Sequence, residues 1–282
     1  MRVVVDSNQL QSKVLRTYLA KSKSNFAGLT DYAAMEAYKG DTLASIYKSM
    51  AIVCDFPDQV IVLKGTRAAC GLKGRTAGLQ RRLIDEAQTT GFGTYVDHLR
   101  EAQNGNRHIQ QQLLDLGKEA TAHLDRMLAD AQTTGAVIDD IARLYSKEER
   151  QAIRLGQNYS SAMVDKTVKN ILHIVGTAFR DHPNAHIIPT YAELPNTYIF
   201  RAALCTYLLA LERGANGGAR DAAPAKLRND FVDMNFAAYG TYFDGLMTTD
   251  ARRVLRIHKE ARVWLVALFD CKLPGGLGYC LN

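Results

Sequence analysis

Four acidic side chains stand where predicted strands and helices begin or end. Asp6 follows the apolar run "RVVV", and Asp250 follows "GLMTT" near the other end of the chain. Asp233 is predicted to begin a helix, and Glu36 to lie on a short helix capped by Thr30. Carboxylates that lie close together raise one another's pKa, so a cluster of them needs a cation. Because hard divalent ions prefer oxygen ligands, the four acids predict a site for Mg²⁺ or Mn²⁺.

The elements that must bring these acids together are predicted to be parallel strands. Patterns typical of strands are "RVVVD", "QVIVLKG", "GLMTTD", "RVWLVAL" and, less clearly, "NAHIIPT". Patterns that favour helices are "NQLQSKVLRTYLAKS", "GLTDYAAMEAYKG" and "ARRVLRIHKE". This alternation predicts an α/β fold, a three-layer sandwich with a mostly parallel central sheet. Ligands usually bind beyond the carboxyl ends of such strands, where Asp6 and Asp250 are expected to meet.

The middle of the chain has a different pattern. From about residue 76 to 178 it is helical almost throughout, and it contains the string AQTTG twice. Each copy is interpreted as a helix end, a turn and the start of a new helix. The Gly/Ala/Pro-rich stretch 213–226 is predicted to be a linker. We therefore predict an α/β core formed by residues 1–65 and 185–282, with an inserted, mainly helical subdomain at residues 66–184.

Three strings in this order, "VVVDSN", "LTDYAAMEAY" and "NDFVDMNFAAYGTYFDGLMTTDARRV", resemble the PIN domain family of metal-dependent nucleases. In that family an Asp ends the first strand and an acid lies on a later helix. A third acid opens a helix of the form D-x-x-x-A-A, and Thr-x-Asp closes the next strand. The resemblance assigns these four positions to Asp6, Glu36, Asp233 and Asp250, with Thr248 in the Thr-x-Asp motif.

The resemblance covers roughly residues 1–65 and 185–270, so the helical block is an addition to the usual family fold. It implies a nuclease that holds Mg²⁺ or Mn²⁺ on the four acids, all of which would be catalytic. RNA is the substrate of most members, and DNA of some. Ser7, Asn8 and Thr248 would hydrogen-bond these carboxylates or the substrate. Asp230 competes with Asp233 for the third position, since residues three apart share a helix face.

The biological role implied by the resemblance is that of a restrained nuclease. A toxin of a toxin–antitoxin pair, an element of antiviral defence, and an RNA processing or decay enzyme are all consistent with it. A toxin implies an inhibitory protein partner. The sequence is also compatible with a homo-oligomer. All of these roles follow from family analogy rather than from the residues themselves.

The basic residues favour a polyanionic partner. The chain has a formal net charge of +6 and a pI near 9.0, and no acid lies between Asp58 and Asp85. Candidate contacts to nucleic acid phosphates are Lys64, Arg67, Lys73, Arg75, Arg81, Arg82, Arg252 and Arg253. Phosphate contacts of this kind position a nucleic acid without reading its sequence. The alternative for the stretch from 64 to 82 is an ordinary solvated face.

Composition and cysteine usage favour a cytoplasmic protein without a membrane partner. No apolar run approaches the roughly 18 residues of a membrane span, and "MRVVVDSN" is too short for a signal peptide. The five cysteines form no CxxC pair, which favours free thiols. Metal pairs at His182 with His186 and at Cys271 with Cys280 are disfavoured, the first because Pro183 interrupts a helix there.

Each acid also has a purely structural interpretation. Asp6 would be a turn acid, Glu36 a solvent-facing helix residue, Asp233 an acid favoured by the helix dipole, and Asp250 an N-cap. Asp244 is interpreted as a turn acid ahead of the last β-type run. The functional alternatives to an RNA nuclease are a non-catalytic binding protein, a DNA nuclease and another acid-rich phosphohydrolase.

Overall fold

The computed structural model describes residues 1–40, 42–185, 189–218 and 222–274. Within these residues the strands form one sheet, composed of β1 (Arg2–Val5), β2 (Phe26–Leu29), β3 (Val60–Val62) and β4 (Gly245–Met247). All pairs are parallel, and the strand order is β3-β2-β1-β4. Val4 is in register with Leu246, so the first strand of the chain is paired with the last. This pairing brings the carboxyl ends of β1 and β4 together.

Helices make up the rest of the described fold. Their bounds are α1 (Lys13–Lys21), α2 (Asp31–Tyr38), α3 (Leu43–Asp55), α4 (Thr66–Cys70), α5 (Leu79–Leu83), α6 (Glu86–Thr90), α7 (Phe92–Gln103), α8 (Arg107–Arg143), α9 (Lys147–Arg154), α10 (Ser161–Asp181), α11 (Tyr198–Ala215), α12 (Pro224–Gly240) and α13 (Val254–Phe269). The Thr30 hydroxyl accepts a hydrogen bond from the Ala33 backbone N–H at 3.1 Å, which confirms the predicted cap of α2.

The two faces of the sheet are covered by different hydrophobic clusters. Val3 and Val5 point to the face packed by α1, α3 and α7, while Val4 points to the face packed by α10 to α13. This alternation follows from the two-residue period of a strand. An α/β fold is therefore confirmed, with an all-parallel sheet and a layering compatible with a three-layer sandwich.

The helical block packs against the helices and the sheet of the α/β core and does not form a separate body. Helix α8 is 37 residues long and contacts α2, α11 and α12. Leu124 of α8 and Tyr145 belong to the same hydrophobic cluster as Val4 of β1. The predicted helical character of this block is confirmed, whereas the domain boundaries at residues 66 and 184 stay a prediction.

Two interpretations of local pattern were wrong. The run "RVWLVAL" lies within α13, because Ile257, Ala261 and Leu265 extend a buried helical stripe through it. A short apolar run does not distinguish a strand from a buried helix. The second AQTTG string lies inside the continuous helix α8. Only the first copy ends a helix, at Gly91 between α6 and α7.

Other segments also differ from the sequence interpretation. The predicted linker 213–226 is shorter, because α11 continues to Ala215 and α12 begins at Pro224. Strand β2, "FAGL", was not predicted, since Ala and Gly have little strand preference. Residues 186–188 of "NAHIIPT", which include His186, lie outside the described residues, as does Cys280. The described thiols of Cys54, Cys70, Cys205 and Cys271 are free.

Candidate functional site

Asp6 lies at the carboxyl end of β1, with 1% of its surface exposed. Its backbone N–H donates to the Met247 carbonyl at 3.0 Å, which joins the ends of β1 and β4. The Thr248 hydroxyl donates to Asp6 Oδ2 at 2.7 Å, and the Asn8 backbone N–H donates to Oδ1 at 3.3 Å. Burial raises the pKa of Asp6, and these donors oppose the rise. Asp6 also caps the 3-10 turn that follows it, so its structural role as a turn acid is present as well.

Glu36 is joined to Asp6 through one hydroxyl. The Ser7 side chain lies 3.2 Å from Asp6 Oδ1 and also hydrogen-bonds Glu36 Oε2. The other Glu36 oxygen pairs with Lys39 Nζ at 2.9 Å. The Glu36 side chain is 14% exposed, so this residue faces the sheet edge rather than solvent. The negative charge of Glu36 adds to the rise in the Asp6 pKa.

Asp233 does not begin a helix, contrary to the sequence prediction. Pro224 starts α12, which places Asp233 in the middle of a 17-residue helix. Pro is favoured at the first helical position, since its missing N–H is not needed there. Asp233 reaches the sheet edge sideways from this helix, and its side chain is 18% exposed. The helix dipole at an N-terminus therefore has no part in its position.

Arg253 joins the remaining acids. One terminal nitrogen of its guanidinium lies 3.3 Å from both Asp233 Oδ2 and Asp250 Oδ2, and the other lies 2.8 Å from Asp230 Oδ1. Asp250 also accepts the Arg253 backbone N–H at 2.9 Å, so it caps the turn that leads into α13. Its own N–H donates to the Thr248 hydroxyl at 3.1 Å. Thr248 thus connects Asp250 to Asp6.

Asp233 has the clearest electrostatic signature of the group. Burial, together with the negative charge of Asp6, raises the pKa of Asp233 to about 7. Asp230 and Asp250 add to the rise, and Arg253 opposes it. The shift therefore combines the burial of this carboxyl with a contribution from neighbouring negative charge. Asp6 and Asp250, from opposite ends of the chain, both act on Asp233.

Asp230 is an ion-pair residue in the core of this region. It is 0% exposed, and its carboxylate pairs with both Arg213 and Arg253. Burial raises the pKa of Asp230, whereas the two arginines lower it. Asp230 and Asp233, three residues apart on α12, both contact Arg253, as expected for one helix face. Asp230 holds the arginine that reaches Asp233 and Asp250.

The sequence interpretation missed this role of arginine. Arg253 was predicted to contact nucleic acid, but its side chain is 25% exposed and is committed to three carboxylates. Arg213, the second partner of Asp230, was not singled out at all. It precedes Asp230 by 17 residues on a different helix, and no local spacing indicates such a pair.

The basic residues of the 64–82 stretch divide into two groups. Arg82 donates to the carbonyls of Lys73, Arg75 and Ala77, so it organises the loop rather than facing a ligand. Arg81 pairs with Glu86 at 2.9 Å. The second group, Arg67, Lys73 and Arg75, is exposed and has no ion pair among the described residues. The same is true of Arg252, which lies outside this stretch.

Lys64 lies at the carboxyl edge of the sheet, directly after Leu63, which continues β3. The Tyr239 hydroxyl of α12 donates to its carbonyl at 2.7 Å. Two strand spacings of about 4.8 Å separate β3 from β1, so Lys64 lies roughly 10 Å along the edge from the end of β1. The exposed basic loop thus begins near the acids.

Asp244 lies at the opposite end of β4. Its carboxylate accepts the Arg2 backbone N–H at 2.6 Å, and its own N–H donates to the Arg2 carbonyl at 2.9 Å. These bonds fix the amino ends of β1 and β4. The interpretation of Asp244 as a turn acid ahead of the strand agrees with this position.

Within the described part of the chain, no three Asp, Glu, His or Cys side chains form a ready-made metal-binding group. The cation among Asp230, Asp233 and Asp250 is the Arg253 guanidinium. No helix in the described ranges has both the length and the apolar character needed to span a bilayer. No protein-family model, curated protein or solved structure matches this chain.

Proposed function

We propose that the protein is a metal-dependent nuclease, and more specifically an endoribonuclease. The observation that carries the proposal is the coupling of acids at the carboxyl edge of β1 and β4. Burial raises the pKa of Asp233 to about 7, and the charges of Asp6 and Asp250, which come from opposite ends of the chain, add to that rise. A fold that only needed stability would gain by replacing one of these acids, because partly compensated like charges in a buried site oppose folding.

The chemistry of the donor set suits a hard divalent cation, although no three of the described side chains are arranged as a metal-binding group. The carboxylates of Asp6, Glu36, Asp233 and Asp250 supply only oxygen ligands, which Mg²⁺ and Mn²⁺ prefer. Burial first, and the neighbouring acids second, raise the pKa of Asp233, and a bound cation would favour its charged form. These four residues would hold the ion. The hydroxyls of Ser7 and Thr248 would orient Asp6 for that role, as they do in the present hydrogen bonds.

A bound metal ion would polarise the scissile phosphate and lower the pKa of a water molecule at the site. The chain itself would supply orientation and charge. Thr248 holds the Asp6 carboxylate in one position, and Arg253 holds Asp233 and Asp250 together at the same edge. The exposed cations Arg67, Lys73, Arg75 and Arg252 would attract the nucleic acid backbone.

The preference for RNA, and a role as a toxin or defence effector with an inhibitory partner in the cytoplasm, rest on the resemblance to PIN domains. The alternative function is a non-catalytic binding protein that keeps the fold. One observation favours this alternative. Arg253 neutralises part of the charge of Asp233 and Asp250, and a protein that had lost its metal ion would need such a cation in its place.

Cleavage of matched substrates tests the proposal. Labelled single-stranded RNA and DNA of one sequence are incubated with Mn²⁺ and with wild type, Asp250→Asn or Asp244→Asn protein. Asp244→Asn is the matched control, because it makes the same change at the other end of β4. Loss of a metal ligand removes several kcal/mol of transition-state stabilisation, so Asp250→Asn is expected to lower the rate at least about 100-fold.

The same assay separates the alternatives. Mn²⁺-dependent cleavage by wild type and Asp244→Asn, with faster cleavage of RNA, supports an endoribonuclease. Faster cleavage of DNA overturns the substrate assignment. Equal rates for Asp250→Asn and wild type overturn the site, and RNA binding without cleavage by any form establishes the non-catalytic alternative.

A further inference from the structure

A cavity opens at the carboxyl ends of β2 and β3. Its volume is about 860 Å³, within the range of about 300–1,000 Å³ that is usual for small-molecule sites. Leu29 and Val62 form its floor, and α2, α7 and α8 form its walls. Sites in open parallel sheets lie beyond these strand ends, so the position is that of a ligand pocket.

Helix α2 separates this cavity from the acid site. The residues of α2 that line the cavity are Asp31, Ala34, Met35 and Tyr38, whose spacing of three and four places them on one helix face. Glu36 points away from that face, toward Ser7. The cavity is therefore a distinct site, with a wall in common with the proposed catalytic edge.

Three aromatic rings, those of Tyr38, Phe92 and Tyr95, give the cavity an apolar wall. Phe92 and Tyr95 lie with ring centroids 5.4 Å apart, and the hydroxyls of Tyr38 and Tyr95 are 2.6 Å apart. Burial raises the pKa of Tyr38 to about 12, so this phenol is neutral. Because the two hydroxyls satisfy each other, the rings offer their faces and edges to a ligand. The planes of Phe92 and Tyr95 are inclined at 42°, so a planar molecule would stack on the face of one of these rings.

Asp31 places a carboxylate at one end of the cavity. Its Oδ2 accepts the Thr66 backbone N–H at 2.7 Å, its Oδ1 accepts the Tyr32 backbone N–H at 3.0 Å and the Thr66 hydroxyl at 3.4 Å, and burial raises its pKa. These bonds fix the orientation of the carboxylate. A carboxylate has about four acceptor positions, so one is open, and the long bond from the Thr66 hydroxyl is the one that a second ligand donor would replace. The side chain is half-buried and contributes to the cavity wall.

Helix α8 places polar groups along another wall. Glu119, His123 and Arg126, spaced four and three residues apart, share one face of the helix and line the cavity. The His123 ring lies 6.3 Å from the Tyr32 ring, and Arg126 has no ion pair within the described residues. A guanidinium beside an imidazole is suited to a phosphate group.

We propose that this cavity binds a nucleoside monophosphate, with guanine as the preferred base. The base lies against Phe92 and Tyr95, and its two adjacent N–H donors face the Asp31 carboxylate. The phosphate lies against Arg126 and His123, and Glu119 accepts from the ribose hydroxyls. Guanine is preferred because its edge offers two donors to one carboxylate, whereas adenine offers one donor beside an acceptor.

Calorimetric titration with GMP, AMP and inorganic phosphate tests this site. EDTA is present throughout, so the result does not depend on metal or on nuclease activity. The variants are Arg126→Gln, Asp31→Asn and Arg107→Gln, the last being the control because Arg107 is exposed at the start of the same helix. Arg126→Gln is expected to weaken GMP binding by about tenfold or more, the value of a charge-assisted hydrogen bond.

The preference among ligands tests the base contact separately. Wild type should bind GMP more tightly than AMP, and Asp31→Asn should remove that preference. Absence of GMP binding, or equal weakening by Arg107→Gln and Arg126→Gln, overturns the site. Equal binding of GMP and inorganic phosphate overturns the base contact. A folded-state check by near-UV circular dichroism accompanies Asp31→Asn, and Arg126→Gln decides the matter if that variant does not fold.

Discussion

The two ends of the β1–β4 pair use aspartate in opposite ways. At the amino end, Asp244 accepts one backbone N–H at 2.6 Å and closes the pair. At the carboxyl end, Asp6 lies with Asp233 and Asp250; burial raises the pKa of Asp6 and of Asp233, and the charges of Asp6 and Asp250 add to the rise at Asp233. The same residue type therefore stabilises one end and opposes folding at the other. Acids that oppose folding are typical of sites selected for binding or chemistry.

The first prediction from this comparison is that the stability of the folded protein depends on Arg253 at the carboxyl end of the β1–β4 pair. Arg253→Ala leaves Asp230, which is 0% exposed, with Arg213 alone and removes the cation between Asp233 and Asp250. Breaking a buried ion pair costs roughly 3 kcal/mol. Urea unfolding should therefore show a loss of about that size.

Arg252→Ala is the matched control, because Arg252 is the exposed neighbour. Its expected change is within about 0.5 kcal/mol. If the acids hold a divalent ion, Mn²⁺ should restore part of the stability that Arg253→Ala loses, by binding the folded state. Equal stability of the two variants would show that Arg253 does not hold the cluster together.

A second prediction concerns the pH dependence of stability without metal. The pKa of Asp233 is about 7 in the folded state and near 3.9 in the unfolded state, so the folded state binds the carboxyl proton of Asp233 more tightly. The stabilisation from protonated Asp233 is therefore fully present below about pH 4 and is lost as the pH rises through 7. The expected change is roughly 2 kcal/mol, after discounting for the partial exposure of the side chain.

The difference between wild type and Asp233→Asn isolates this effect. His258 would otherwise obscure it, because burial, with the charge of Arg262, lowers the pKa of His258 to about 4. The contribution of His258 is lost as the pH falls from about 6.5 to 4, the opposite direction. The unfolding free energy of wild type minus that of Asp233→Asn should fall between pH 4 and 7. A flat difference would contradict the raised pKa.

The sequence predicted best where local pattern and sheet geometry agree. "RVVVD" and "GLMTTD" have the apolar content of buried strands, and the acid that follows each lies at the carboxyl edge. The Thr30 cap of α2 depends only on a side chain and an N–H three residues later. Such features are determined by neighbours in sequence, so pattern identifies them.

The sequence failed where distant packing decides the structure. Asp233 lies mid-helix because Pro224 begins α12 nine residues earlier. The buried apolar residues of α12 continue on both sides of Asp233 and keep the helix continuous. The pairing of Asp230 with Arg213 and Arg253 joins three helical segments with no common period. The cavity beside α2 has the same origin, since its walls come from helices far apart in the chain. Tertiary contacts of this kind override local preference.

The smallest predicted effect contrasts Asp6 with Asp244 directly. Asp6→Asn removes a buried charge that raises the pKa of Asp233, so the metal-free protein should gain about 1 kcal/mol in stability. The pKa of Asp233, followed by NMR of its side-chain carboxyl carbon, should fall below 7. Asp244→Asn weakens the bond to the Arg2 N–H, so it should lose up to about 1 kcal/mol. Destabilisation by both changes would remove the distinction between the two ends, whereas a more stable and inactive Asp6→Asn protein would show that function maintains this acid.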